Sequence, residues 1–135
     1  MSVPSPPRCR RSSIDWNSVR RRLVRHHADP LGHLLGLLSG ARPTFRDRCF
    51  VYVADRGLSR YVLSRRGYVA ITLGHVIVAS HELDPSLLRH EQRHVAQYER
   101  VGLAFLPLYV LLYRRHGYVS HPLEREAAEL VTLFS

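Results

Sequence analysis

The sequence predicts an α+β fold, a small antiparallel sheet or hairpin feeding a set of helices. Three observations predict it. Short runs rich in β-branched and aromatic residues occupy the middle of the chain. Stretches with helical spacing and Asp-Pro or His-Pro openings lie on either side. With 135 residues, of which 45% are hydrophobic, the chain has material for one modest core.

The elements follow in order. Residues 1–12, with Pro4, Pro6, Pro7 and three arginines, read as a flexible tail, and 13–135 as one domain. Ser13 suits an N-cap for an amphipathic helix over 14–27, basic on one face through Arg20, Arg21, Arg22 and Arg25. Asp29-Pro30 caps and opens a second helix through Leu38, with Gly40 as its stop. Cys49–Ala54, Tyr68–Leu73 and His75–Ala79 read as strands. Gly74 supplies the tight turn of a hairpin between the last two. Residues 56–67 fit a short helix or an irregular strand. Asp84-Pro85 opens a helix to about Arg100, ended or kinked by Gly102; an apolar helix spans roughly Leu103–Arg114. After Gly117, His121-Pro122 begins a last helix to about Leu133. There are no internal repeats.

Composition narrows the function classes. Cys9 and Cys49 are the only cysteines, too few for a disulfide framework or a cysteine metal knuckle, which fits a reducing, cytoplasmic setting. The formal charge is +9, and all 20 basic residues are arginine. That balance suits a polyanionic partner, although solubility alone explains it as well, and no nucleic-acid motif accompanies it. No segment reaches the roughly 18 apolar residues of a membrane span. Val101–Tyr113 is shorter, is interrupted by Pro107, and reads as a buried helix or a helix lying on a membrane surface. The arginines near the start precede no apolar stretch, so no cleaved targeting peptide is expected.

The chemistry concentrates in His90-Glu91-Gln92-Arg93-His94. Residues four apart share a helix face, so the two imidazoles can bind one cation, and zinc favours imidazole nitrogen. Glu91 sits about 100° round the helix, placed to take a proton from a water whose pKa zinc lowers to about 7. The spacing puts Leu87, Leu88, Glu91, His94, Val95 and Tyr98 on the inward stripe. A carboxylate there needs a partner, because burying one unpaired costs several kcal/mol. The bland alternative is a surface His/Glu patch.

Two histidines do not complete a zinc site. A metzincin would carry glycine and histidine at positions 97 and 100; Gln97 and Arg100 stand there. A downstream carboxylate remains, and Glu124-Arg125-Glu126-Ala127 offers two.

The stretches ITLGHVIVAS, LLRHEQRHVAQYER and HPLEREA together resemble small bacterial HExxH zinc peptidases of the gluzincin type. They are similar to the core of the membrane CaaX-type and heat-shock zinc peptidases. The resemblance covers about residues 71–127 and implies a minimal zincin-like domain, its metal-site core over about 68–133. It implies Glu124 as third ligand, with Glu126 second in line because two residues turn it about 200° away. One Zn2+ ion and a peptide or protein substrate follow from the same likeness. His121 and Ala128 depart from it, standing where relatives carry asparagine and aspartate. His121, His116 and Tyr118 are candidates for ligand-shell or oxyanion contacts, against an alternative as solvated turn residues. Gln97 is read as supporting the shell or facing solvent; His75, His81, His26 and His27 are read as structural.

The leading expectation is a zinc metallopeptidase with Glu91 as general base. The alternatives are a zinc-stabilised binding module, or a basic protein acting at nucleic acid or an anionic membrane. The basic first helix and the Leu103–Leu112 helix are the expected membrane contacts.

Overall fold

The computed structural model describes residues 15–65 and 67–132. The expected tail, the Ser13 cap and the Leu133 terminus lie outside the described residues. Helix α1 (Trp16–Arg25) is capped by Asp15, whose carboxylate accepts the Asn17 N–H at 3.0 Å. Helix α2 (Asp29–Leu38) follows, with Pro30 in its first turn. The expected Asp29 cap does not form. Its carboxylate turns to the β-hairpin instead and accepts the backbone N–H of His75 at 2.7 Å.

The sheet is mixed, not antiparallel. Its strands are β1 (Pro43–Arg46), β2 (Cys49–Val53), β3 (Ala70–Leu73) and β4 (Val76–Ala79), in the order β1-β2-β4-β3. β1 pairs antiparallel with β2, β2 parallel with β4, and β4 antiparallel with β3. Helix α3 (Gly57–Ser64) occupies the ambiguous stretch and carries the chain over to the far edge. That crossover makes β2 and β4 parallel; local strand patterning carries no signal of it. β1, which the sequence reading passes over, is exposed along its length. Asp47 and Arg48, both at positive φ, form its two-residue turn, where glycine or asparagine is the usual signal. Gly74, at φ +66°, turns β3 into β4.

Each sheet face is covered. Tyr52, Leu73, Val76 and Val78 pack with Leu35 of α2 on one side. Cys49, Val51 and Ile77 meet Val95 of α4 (Pro85–Val101) on the other. Asp84 caps α4 through the N–H groups of Ser86 and Leu87. Gly102 then opens a 3₁₀ turn (Gly102–Ala104) that leads into α5 (Phe105–His116). α4 therefore ends at Val101, because Gly102 takes φ +67°, outside the helical region. Within the run Pro85–His116 an 18-residue window is long and apolar enough to cross a membrane, and 28% of it is buried. Any such window crosses Gly102, where the sequence places the end or kink of the metal helix. Helix α6 (Pro122–Thr132) packs against α4, with Leu123 joining Tyr98 and Phe105 in a third cluster.

Candidate metal centre

α4 presents Glu91, His94, Gln97 and Tyr98 inward, all buried, with His90 at the margin. One turn separates His90 from His94, and their Nε2 atoms face each other 3.2 Å apart. α6 brings Glu124 to the same point. Its Oε2 lies 3.3 Å from His90 Nε2, and its Oε1 lies 3.4 Å from His94 Nε2. Zinc bonds of about 2.0–2.2 Å in tetrahedral array put neighbouring donor atoms about 3.3–3.6 Å apart. The three donors therefore already stand at close to the edges of such a tetrahedron.

Gln97 does not face solvent. Its amide nitrogen donates to the Leu123 carbonyl at 2.9 Å and to Glu126 at 3.2 Å, which turns its oxygen toward His94 Nδ1 at 2.9 Å. Nδ1 thus carries the proton, and the Nε2 lone pair is left for a cation. Tyr109 of α5 performs the matching task for Glu124, donating its hydroxyl to Oε1 at 2.5 Å. Burial opposes ionisation of Glu124. The close approach of the His90 and His94 imidazoles and the Tyr109 hydroxyl overcomes it and holds its carboxyl well below the usual carboxylate range. Burial likewise pulls the His94 pKa down, and the neighbouring Glu124 outweighs it, so the net shift is upward.

Glu91 is 6% exposed, and its carboxylate accepts a hydrogen bond from Thr72 at 2.6 Å. Thr72 is the one hydroxyl in the apolar strand β3. It points to α4 because Ile71 and Leu73 alternate to the opposite face. Neither Thr72 nor Tyr109 is among the residues that the sequence marks out. The first could have been noticed as the lone polar residue of YVAITL; the second has no sequence signal.

The remaining candidates separate. Glu126 turns outward and pairs with Arg100 through two contacts of 2.8 and 2.9 Å. His121 is fully buried and is no solvated turn residue. Its Nε2 donates to the Tyr109 carbonyl at 3.0 Å, and its Nδ1 accepts the Leu123 N–H at 3.2 Å. Both nitrogens are thereby committed to backbone, one in α5 and one at the start of α6. His116 is exposed at the end of α5 and does not line the cleft. Tyr118 does line it. Burial, then Glu124 and Glu91, push its hydroxyl up to about 12.

A cleft of about 600 Å³ opens beside these groups, between the free edge of β3 and α5. His90, Glu91, His94 and Glu124 meet its apolar walls, which include Ile71, Leu106 and Val110. A second group of metal-type donors, His26, Asp29 and His75, lies elsewhere. There His26 Nδ1 and Asp29 Oδ2 are 2.6 Å apart, a hydrogen-bond length too short for two ligands of one zinc ion. His75 is spanned by Asp29 at 3.2 Å and Glu99 at 3.1 Å, so this group reads as a hydrogen-bond network bracing the hairpin turn. Comparison with known proteins returns no match: no family model fits the chain, and no curated protein or solved structure is significantly similar to it.

Proposed function

We propose that the protein is a zinc-dependent hydrolase acting on peptide bonds, with His90, His94 and Glu124 holding one ion and Glu91 as general base. The carrying observation is the set of donor separations, 3.2, 3.3 and 3.4 Å, next to a buried carboxylate that is not one of the three. Zinc bound there would supply Lewis acidity and lower the pKa of a coordinated water. Thr72 holds the Glu91 carboxylate by one hydrogen bond and leaves lone pairs to accept a proton from the attacking water. Glu91 then returns that proton to the leaving amine. Tyr118, whose hydroxyl stays protonated at neutral pH, faces the same cleft and can donate to a developing oxyanion. The apolar walls suit an uncharged side chain next to the scissile bond.

A site that merely stabilised the fold would have no need for Glu91 held by Thr72 at the cleft, and this favours the hydrolytic reading over a binding module. The test is hydrolysis of a peptide library by the zinc-loaded chain and by Glu91→Gln, with metal content measured in both. The variant is expected to keep its zinc and lose turnover by several orders of magnitude. Activity that survives Glu91→Gln would refute the mechanism.

A further inference from the structure

Helix α2 carries an apolar face that the core does not use. Its inner side is Gly32, Leu35 and Gly36, all buried. A Cβ at Gly36 would stand 2.4 Å from the Tyr52 ring, and one at Gly32 would stand 2.6 Å from Val76 Cβ. The two glycines therefore press the helix onto the sheet and fix which side looks outward. On that outer side stand Leu31, Leu34, Leu37 and Leu38, exposed by 51, 53, 61 and 59%. At about 100° per residue they cover an arc of about 120° with no polar side chain between them. A helix on a soluble surface carries polar residues there, and a contiguous apolar face marks a partner.

The surroundings of this face identify the partner. α1 ends just before α2 and contributes exposed Arg22 and Arg25. Beyond the other end stands exposed Arg42. The start of α3 is tied to the end of α2 by the Ser59 N–H on Ser39 Oγ at 2.8 Å, which brings in exposed Arg56 and Arg60. Two exposed acids stand beside them, Asp55 and Glu99, the latter 3.8 Å from Arg25, while Asp29 is engaged by His26 and His75. A leucine face flanked by arginine-bearing segments matches a surface that is apolar within and anionic at its rim. A second copy of the chain would instead set arginine borders against each other, with a formal charge of +9 on each side.

We infer that the outer face of α2 seats the protein on an anionic phospholipid bilayer, with the leucines entering the acyl boundary and the arginines engaging lipid phosphates. The exposed apolar residues of α5 are a different surface, because Val110 there forms cleft wall. α2 and α4 lie on opposite faces of the sheet, and none of the four leucines lines the cleft at the candidate metal centre.

Flotation of the full chain with lipid vesicles tests this. Vesicles containing phosphatidylglycerol should carry the protein up, and pure phosphatidylcholine vesicles should do so at least tenfold less well. Leu34→Glu combined with Leu38→Glu should reduce binding at least tenfold at an unchanged melting temperature. Leu34→Ser with Leu38→Ser serves if the glutamates prevent folding. Arg42→Gln with Arg60→Gln should weaken binding to the anionic vesicles several-fold and lessen its salt dependence. Undiminished flotation of the leucine variants would overturn the inference, as would equal binding to neutral vesicles. So would light scattering that shows a dimer dissociated by the leucine variants, with no vesicle binding by the wild type.

Discussion

Replacing Tyr109 with phenylalanine removes one hydroxyl and little else, because the ring can stay where it stacks on His121 at 4.2 Å between centroids. The lost contact is the 2.5 Å hydrogen bond to Glu124, a carboxylate with 11% of its side chain exposed. Hydrogen bonds to charged groups contribute about 1.5–3 kcal/mol, and water has little access to replace this one. Because the bond exists with or without metal, most of that loss should appear as lower stability of the metal-free protein. The affinity loss comes from a Glu124 no longer held at the right angle, and should be about tenfold, the lower end for such supporting contacts. Competition of the protein with a chromophoric chelator for zinc, together with thermal unfolding of the metal-free chain, reads both quantities. A variant within about 0.5 kcal/mol of wild type in stability and equal to it in zinc affinity would refute the role given to Tyr109.

Three other perturbations follow from the same contacts. Thr72→Val keeps the β-branched shape of the strand residue but frees Glu91; peptide hydrolysis should fall about 10- to 100-fold with zinc content unchanged, and equal activity would remove Thr72 from the mechanism. Tyr98 is 1% exposed and its hydroxyl has no hydrogen-bond partner among the described residues, so Tyr98→Phe should leave stability equal or raise it by about 1 kcal/mol in denaturant unfolding. A loss of stability there would mean that the hydroxyl is satisfied. Glu99 has its pKa lowered, chiefly by the hydrogen bond from His75, so its stabilising effect is present above the ordinary carboxylate pKa and fades as pH falls through the lower folded value. Glu99→Gln should therefore flatten the acid limb of the stability curve, and an unchanged limb would dismiss the pairing.

Much of this was legible in the sequence because the information is local. The i, i+4 histidines, the Asp84 cap and the turn at Gly74 are all set within a few residues, and each appears where spacing puts it. Helix periodicity also assigns Glu91 and His94 to the inward stripe. What escaped depends on distant partners. Thr72 and Tyr109 matter only because β3 and α5 meet Glu91 and Glu124 across 19 and 15 residues of chain. The parallel pairing of β2 with β4 depends on the α3 crossover, and Asp29 gives up a local cap for His75, 46 residues away. His121 is typical of loop histidines in sequence, and its burial arises from the packing of α5 on the start of α6.

The proposed centre holds one zinc ion on His90, His94 and Glu124, with Glu91 next to it but outside the ligand set. Zinc stoichiometry by mass spectrometry on wild type, Glu124→Ala, Glu126→Ala and Glu91→Gln tests it most directly. One zinc per chain is expected in wild type, Glu126→Ala and Glu91→Gln, and loss of bound zinc in Glu124→Ala. Full retention by Glu124→Ala, or loss confined to Glu126→Ala, would contradict it.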